Sequence, residues 1–260
     1  MPEGTEVKET TMRVYRGDAS GGELKEYKVP ITTGMVVLDA IHWIQREVEP
    51  DLAVRWNCKA AKCGSCSAEV NGKPTLMCKT RLDTYTEGET ITVQPIATFP
   101  LIRDLVTDVS WNYKMNKRIP PFTPAPNADF TFFQEDVDRV QEFRKCIECF
   151  LCQDVCHVLR DHDRKDAFIG PRFIVRVASL DMHPLDTLDR APLLKEDAGL
   201  GFCNITKCCT EVCPEDIHIT DNAIIPMKER VVDEYYDPIA MFFKKLFGGQ
   251  KKTKVRAEKV

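Results

Sequence analysis

The chain has no long hydrophobic run, and this absence excludes an integral membrane protein of the helical class. A membrane-spanning helix needs roughly 18 or more consecutive apolar residues, and even the apolar stretch FIVRVASL is interrupted by Arg176. The first residues, MPEGTEVKETT, contain no apolar core and no small-residue cleavage site, so we expect no secretory signal. We therefore expect a cytoplasmic protein that meets a membrane only through a partner or a surface helix.

Two further absences narrow the possible functions. The sequence contains no Gly-rich nucleotide loop and no nucleophile-base constellation, so we expect no substrate-converting site on this chain alone. It also has no low-complexity tract, and its net charge is only -4. This composition is ordinary for a folded protein, and we expect no nucleic-acid partner. A length of 260 residues favours two modest domains.

Cysteine, in contrast, is abundant. The twelve cysteines fall into three groups of four, a clustering that disulfide pairing would rarely produce. In a reducing compartment thiols stay free or bind metal, so sulfur-ligated metal is the expected chemistry. The groups are Cys58, Cys63, Cys66 and Cys78; Cys146, Cys149, Cys152 and Cys156; and Cys203, Cys208, Cys209 and Cys213.

The first group has the spacing CxxxxCxxC with a fourth cysteine further along, which is the pattern of plant-type 2Fe-2S ferredoxins. We expect its four cysteines to bind one 2Fe-2S cluster. The alternative is a structural zinc site, although zinc favours paired CxxC knuckles. Small residues in this loop would let backbone N–H groups approach the sulfurs; they are Ala60, Ala61, Gly64, Ser65 and Ser67.

The second group reads CIECFLCQDVC, the run of bacterial ferredoxins in which the fourth cysteine reaches across to another cluster. The third group, CNITKCCTEVCP, follows the same register with Thr206 at one ligand position. By this crossover rule Cys213 joins the cluster of the second group, and Cys156 joins the cluster of the third. The expected 4Fe-4S ligands are Cys146, Cys149, Cys152 and Cys213.

Thr206 leaves the other site with three thiolates, those of Cys156, Cys203 and Cys209. A corner iron without a thiolate is easily lost, so we expect a 3Fe-4S cluster, which suits the high-potential end of an electron chain. Alternatively, Thr206 has no role. Cys208 is left over, and it is either a small buried hydrophobe or a residue that swings in to complete a second cubane.

The residues before position 98 predict a β-grasp-like 2Fe-2S ferredoxin domain over 1–98. TTGMVVLDAIHWIQREV predicts a helix capped by Thr33, and Asn71-Gly72 predicts a two-residue hairpin turn. Alternation around DASGGE predicts a further hairpin. Its expected inward-facing residues are Met12, Val14, Leu24 and Tyr27.

The rest of the chain completes a predicted α+β fold. Prolines accumulate over 99–130, which predicts a linker, and LIRDLVTDVSWNY within it predicts a short helix. The segment 131–235 predicts an all-α ferredoxin-like domain that carries two clusters, with one helix opened by Gly170-Pro171. The residues 236–260 form a basic tail. We expect it either to contact anionic lipid or to be a loose solvated terminus.

These motifs resemble one family along nearly the whole chain, the iron-sulfur subunit of succinate dehydrogenase and fumarate reductase, and the sequence looks like a divergent bacterial member. The resemblance implies a flavoprotein subunit with FAD as one partner, and membrane anchor subunits where quinone binds as another. It implies electron transfer from flavin through the 2Fe-2S, 4Fe-4S and 3Fe-4S clusters to quinone, at the cytoplasmic face of the cell membrane. A fumarate reductase, or another flavin-linked dehydrogenase with a different acceptor, remains the alternative.

The sequence departs from this family near the expected quinone end. His157, Arg160 and Asp161 stand where the family usually has a proline and a tryptophan pair that line the quinone pocket, and Asn204 replaces a frequent histidine. His157 and Asn204 are therefore the candidate quinone-proximal residues. Histidine titrates near neutral pH, so His157 would donate a hydrogen bond or a proton to quinone; alternatively, it hydrogen-bonds locally.

Overall fold

A computed structural model describes residues 8–86, 88–238, 242 and 255–256. The strands are β1 (Lys8–Asp18), β2 (Gly21–Ile31), β3 (Ser67–Val70), β4 (Lys73–Leu76), β5 (Thr90–Gln94), β6 (Leu101–Arg103), β7 (Val106–Thr107), β8 (Leu188–Asp189) and β9 (Val255–Arg256). The α-helices are α1 (Val37–Glu47), α2 (Ser110–Lys117), α3 (Gln134–Gln141), α4 (Leu151–Asp154), α5 (His157–Arg160), α6 (Pro171–Asp181), α7 (Cys208–Glu211) and α8 (Ile225–Tyr235). Single 3₁₀ or π turns lie at Leu82–Thr84, Glu142–Lys145, Leu193–Asp197, Leu200–Phe202 and Ile219–Ile224.

The chain divides into two units. The first comprises Met1–Val109 and Ile147–Val155, and the second comprises Ser110–Cys146 and Cys156–Val260. Over the described ranges, no helix combines the length and the apolar character that a membrane span requires. The boundaries that we predict at residues 98 and 130 stay predictions.

The first unit is built on a mixed sheet in the order β4-β3-β5-β1-β6-β7, with β2 paired to β1. β1 runs antiparallel to β2 and parallel to β5, which places a parallel pair at the centre of the sheet. The apolar stripe of α1 is buried, including Ile41 and Ile44 at 0% exposure. Met12 and Val14 of β1 are equally buried, so the alternation of the first hairpin forms the core as predicted.

Both predicted hairpin turns of the first unit are present. Asn71 and Gly72 connect β3 and β4 with φ of 48° and 75°, as a two-residue turn with positive φ requires. Two details of the prediction are wrong. Leu24 is only half-buried, and the cap position of α1 is Val36 rather than Thr33. The Asp39 carboxylate accepts the Val36 N–H at 3.2 Å, so a helix-internal side chain caps this end.

The predicted helix at LIRDLVTDVSWNY begins only at Ser110, because the preceding residues form β6 and β7. The reason is Asp104, which is buried, has a φ of 50° and lies between these strands. Its carboxylate accepts the N–H groups of Gly17 at 3.0 Å and Ala53 at 2.8 Å. Satisfying buried donors outweighs the weak helical spacing of the apolar residues.

The regular secondary structure of the second unit is helical apart from the short strands β8 and β9, and the unit is centred on α6. The prediction of an all-α domain is therefore wrong at β8. Gly170, with a φ of 85°, precedes Pro171 at the first helical turn, which confirms the predicted helix start. The proline segment is attached to this unit through the buried Arg190 guanidinium, which donates to the carbonyls of Pro120 at 2.8 Å and Pro121 at 3.0 Å. Most of the predicted basic tail, 236–260, lies outside the described residues.

Candidate functional site

The loop between α1 and β3 surrounds the first cysteine group with backbone N–H donors. The amides of Ala60 and Lys62 each donate to Cys58 Sγ at 3.3 Å. The amide of Ala61 donates to Cys78 Sγ, also at 3.3 Å. Such hydrogen bonds stabilise negative charge on sulfur, and the two alanines stand where the sequence predicts close backbone approach.

The backbone of this loop explains how several amides reach the sulfurs. Lys59, Ala61 and Gly64 have φ of 54°, 55° and 67°. Alternation of right-handed and left-handed residues turns successive N–H groups to one concave side, which is a common anion-binding arrangement. The loop is therefore shaped to hold an anionic group rather than an apolar one.

The pKa values of two thiols in the first group are shifted in opposite directions. Burial raises the pKa of the Cys66 thiol to about 12, and this side chain is 3% exposed. Burial also acts to raise the pKa of Cys63, but hydrogen bonds from Ser65 and Cys58 outweigh it and lower this pKa to about 6. Since the thiolate is the form that binds metal, Cys63 is the better prepared of these two predicted ligands.

The segment Ile147–Val155 of the first unit carries two cysteines of the second group, Cys149 and Cys152. The Ser67 hydroxyl donates to the Cys149 carbonyl at 2.8 Å. A Cβ atom added to Gly64 would lie 2.7 Å from Cys149 Cα. A ligand candidate of the second group thus contacts the loop of the first group through main-chain atoms, a role that the sequence does not reveal for Gly64 and Ser67.

Within the second unit, Cys146 and Cys213 interact electrostatically. Burial raises the pKa of the Cys213 thiol, the amides of Ile217 and Glu215 act to lower it, and negative charge on Cys146 adds to the rise. The amide of Ile217 donates to Cys213 Sγ at 3.5 Å. These are two of the four predicted 4Fe-4S ligands. The other two belong to the first unit, so the complete ligand set stays a prediction.

A cavity of the second unit brings together the three predicted 3Fe-4S ligands. Cys156, Cys203 and Cys209 all line it, and it encloses about 310 Å³ of empty space when its open mouth is counted. Burial raises the pKa of Cys156 to about 11 and that of Cys209 to about 12. His157 also lines this cavity, whereas Asn204 is exposed and lies outside its lining.

Cys208 lines the same cavity as Cys209, although the two residues are adjacent in the chain. Its side chain is only partly buried, so the interpretation of Cys208 as a small buried hydrophobe is wrong. The Thr206 hydroxyl lies 3.3 Å from Cys208 Sγ. The residue at the missing ligand position therefore contacts the sulfur of the leftover cysteine.

Thr220 is a site residue that the sequence analysis misses. Its amide donates to Thr210 Oγ1 at 3.0 Å, and the Thr210 hydroxyl donates to Thr220 Oγ1 at 3.1 Å. Thr220 Oγ1 also lies 3.5 Å from Cys209 Sγ, so its hydroxyl can donate to this sulfur when the sulfur is a thiolate. Thr220 lies in a π turn eleven residues after Cys209, and no motif marks it.

Two other histidines of the chain, His42 and His218, have local partners. The His42 ring stands edge-on to Trp56 at 4.7 Å between centroids. His218 Nδ1 lies 2.7 Å from a carboxylate oxygen of Glu142. His157, in contrast, has its ring 6.2 Å from the His162 ring and lines the cavity, so it is the histidine with access to a bound group.

The donor set suits iron-sulfur clusters. In the described part of the chain, no three His, Cys, Asp or Glu side chains are arranged to hold a single metal ion. In a cluster each thiolate binds its own iron atom, so the sulfurs stand further apart than the ligands of one ion. Amide and hydroxyl hydrogens directed at cysteine sulfur, as at Cys58 and Cys209, are the partners that tune such clusters.

Comparison with known proteins agrees with these sites. A family model described as a 2Fe-2S iron-sulfur cluster binding domain matches residues 11–114, and a 4Fe-4S dicluster domain model matches 142–217. The fumarate reductase iron-sulfur subunit of Haemophilus influenzae is 31% identical over 212 residues, which cover 75% of this chain and 81% of that protein. The chain belongs to the family of iron-sulfur subunits of succinate dehydrogenase and fumarate reductase.

Two further relatives support this membership. In the apo-form structure of the Mycobacterium smegmatis Sdh1 complex, one chain is 62% identical with a TM-score of 0.87, and the match covers 90% of this subunit and 99% of that chain. The fumarate reductase iron-sulfur subunit of Mycobacterium tuberculosis is 30% identical over 207 residues, or 76% of this subunit and 82% of that protein.

Membership confirms the predicted fold class and the coarse function. The subunit has a 2Fe-2S ferredoxin domain followed by a helical, 4Fe-4S ferredoxin-like region. It is the electron-transfer subunit of a complex II-type oxidoreductase.

Proposed function

We propose that this subunit carries electrons in a succinate:quinone oxidoreductase, from the FAD of a flavoprotein subunit to quinone at membrane anchor subunits. The observation that carries the proposal is the cavity lined by Cys156, Cys203 and Cys209. Cys156 comes from a different cysteine group than the other two, as the crossover rule for a two-cluster ferredoxin requires. When bound, the clusters would supply the one-electron steps between a two-electron donor and a two-electron acceptor.

The ligand assignment follows the three cysteine groups and their crossover. The 2Fe-2S ligands would be Cys58, Cys63, Cys66 and Cys78; the 4Fe-4S ligands Cys146, Cys149, Cys152 and Cys213; and the 3Fe-4S ligands Cys156, Cys203 and Cys209. The amides of Ala60, Ala61 and Lys62 support the first set, since they already point at its sulfurs. Thr206 supports the third, since its hydroxyl is a poor substitute for a thiolate.

The partners and the location are inferred from relatives. The 62% identical chain belongs to the Sdh1 complex of Mycobacterium smegmatis, which supports a flavoprotein partner, an anchor and a place at the cytoplasmic face of the cell membrane. His157 would offer a hydrogen bond to quinone, because it lines the cavity of the third cysteine group. Asn204, being exposed away from that lining, has less support for such a role.

Fumarate reduction is the second candidate, because several relatives at about 30% identity are iron-sulfur subunits of fumarate reductases. Succinate oxidation is favoured by the much higher identity to a chain of the Sdh1 complex. The two directions require different potentials at the first cluster. The reduction potential of an ordinary plant-type cluster is about -400 mV, which is too low for the cluster to accept electrons from succinate.

The test is to purify the complex under gentle extraction and assay both directions. We expect an FAD protein to copurify. The rate of succinate oxidation coupled to quinone should exceed the rate of fumarate reduction. The midpoint potential of the 2Fe-2S centre should lie well above the plant-type value of about -400 mV. Faster fumarate reduction with a first cluster near the plant-type value would favour the second candidate. A colourless protein without iron would reject electron transfer and leave a zinc-stabilised interaction module.

A further inference from the structure

The cavity of the third cysteine group contains one sulfur more than a three-iron cluster uses. Cys208 lines it together with Cys156, Cys203 and Cys209. Adjacent residues usually point to different sides of a helix, but Lys207 just before α7 has a φ of 64°. This left-handed turn sets the first residue of α7 against the cavity, and Cys209 follows it there.

The position of the extra sulfur is informative. In the CxxCxxCxxxC register, position 206 would supply the thiolate for the corner iron. Thr206 occupies it, and its hydroxyl lies 3.3 Å from Cys208 Sγ. The Cys208 sulfur thus lies directly beside the side chain that replaces the missing ligand.

Cys208 also shares the cavity with two buried cysteines, Cys156 and Cys209. The three side chains therefore border a common space. Cys208 itself is partly exposed, which leaves a route for an ion from solvent.

We propose that Cys208 is a fourth ligand that lets this site take up ferrous iron and convert reversibly from a three-iron to a four-iron cluster. The inference rests on the proposed function, which places a 3Fe-4S cluster in this cavity. It deepens that function by making the cluster type at this end of the electron path depend on iron supply and on reduction.

The uptake step balances without any further oxidant or reductant. A reduced, uncharged three-iron core plus Fe²⁺ gives a four-iron core of charge +2, so no net electron is transferred. The Cys208 S–H bond breaks, its sulfur bonds to the incoming iron, and the proton goes to solvent. Three core sulfides complete the coordination of that iron. Release is the reverse: Fe²⁺ leaves when free iron is scarce, a solvent proton returns to Cys208, and the three-iron core is left reduced and uncharged.

The test compares the intact complex with a Cys208→Ala variant and reads out the cluster itself. Each complex is isolated anaerobically, reduced with dithionite, incubated with ⁵⁷Fe²⁺, desalted and mildly reoxidised. The EPR signal of the oxidised three-iron cluster and the ⁵⁷Fe content by Mössbauer spectroscopy are then measured. We expect the wild type to lose most of its three-iron signal and gain one ⁵⁷Fe per complex. Cys208→Ala should keep its signal.

A Thr206→Cys variant in the Cys208→Ala background is the positive control. It places a thiolate at the usual ligand position, so it should take up the fourth iron even without Cys208. Equal signal loss in wild type and Cys208→Ala would overturn the inference, and so would an unchanged wild-type signal when this control converts.

Failure of the proposed function would look different from failure of this inference. If untreated Cys208→Ala complex contained no three-iron signal and no iron at this site, the 3Fe-4S assignment itself would fall. If the signal were absent from the untreated wild type but present in Cys208→Ala, Cys208 would be confirmed as a ligand. The assignment of a three-iron cluster to the wild type would then be wrong.

Discussion

The first and third cysteine groups surround sulfur in different ways. In the first unit, amides from one short loop donate to its own sulfurs, as Ala60 and Lys62 do to Cys58. In the second unit, the cavity is assembled from separate segments, and the hydroxyl that serves Cys209 comes from Thr220. A site formed by one loop can be predicted from the residues next to its cysteines. A site assembled from separate segments depends on tertiary packing, which cysteine spacing does not describe.

The variant expected to have the largest effect is Gly64→Ala, in the loop of the first group, and it tests the contrast between the two sites. Gly64 has a φ of 67°, which costs a side-chain-bearing residue roughly 1–2 kcal/mol. An added Cβ would also lie 2.7 Å from Cys149 Cα, and backbone cannot yield cheaply. We expect a total loss of about 3 kcal/mol, seen as a lower melting temperature of the complex and reduced visible circular dichroism from the 2Fe-2S centre.

Gly72→Ala is the matched control for this variant. Gly72 has a φ of 75°, but in the described chain no atom lies within 4 Å of its added Cβ. We expect only the backbone cost of roughly 1–2 kcal/mol and full 2Fe-2S content. Equal effects of the two variants would show that the close approach to Cys149 contributes nothing to the loop.

The sequence predicts local features of the molecule better than features that depend on tertiary contacts. Local signals succeeded: Asn71-Gly72 forms its turn, and Gly170-Pro171 opens α6. The largest failure comes from tertiary contacts. Asp104 turns a predicted helix into β6 and β7 because it satisfies distant amides, a need that periodicity does not contain.

The site shows the same pattern. The cysteine spacing alone predicts that Cys156 leaves its own group, and the cavity places it with Cys203 and Cys209. The positions of Cys208 and Thr220 could not be predicted, because each depends on a turn conformation and on a neighbour that only the folded chain supplies. Side-chain direction within a turn is set by φ and ψ, which the sequence specifies weakly.

A smaller effect is expected from Thr220→Val. This variant tests whether a hydroxyl from a separate segment tunes the site of the third cysteine group. The Thr220 hydroxyl is directed at Cys209 Sγ, and a hydrogen bond to sulfur stabilises the reduced, more negative cluster. A differential loss of about 1 kcal/mol corresponds to a fall of roughly 40 mV for a one-electron couple. An EPR-monitored redox titration of the complex measures it.

Thr206→Val provides the comparison for that titration. The Thr206 hydroxyl contacts Cys208 rather than one of the three proposed ligands, so we expect the midpoint potential of the proposed three-iron cluster to stay nearly unchanged. A comparable fall in both variants, or an unchanged potential in Thr220→Val, would contradict a specific role for the Thr220 hydroxyl.

The smallest effect is expected at Glu142, which connects the segments that carry Cys146 and Cys213. Its carboxylate accepts the His218 amide at 2.7 Å and also bonds the Asn222 side chain. Burial acts to raise the pKa of Glu142, but hydrogen bonds from His218 and Asn222 outweigh it and lower this pKa below its usual value. A carboxyl with a lowered folded-state pKa stabilises the protein above its unfolded-state pKa, and this contribution is lost as the pH falls through the folded-state value.

Glu142→Gln should therefore destabilise the complex by less than about 1 kcal/mol near neutral pH, and the difference from wild type should shrink as the pH falls below the ordinary glutamate pKa of about 4.3. Melting temperatures of both proteins across this pH range test the sign. Glu229→Gln, at an exposed position of α8, should change stability little at any pH. A Glu142→Gln difference that persisted unchanged into acid would mean that the carboxylate charge is not what connects the two segments. The geometry of the hydrogen bonds from His218 and Asn222, rather than the charge of Glu142, would then connect the segments of Cys146 and Cys213.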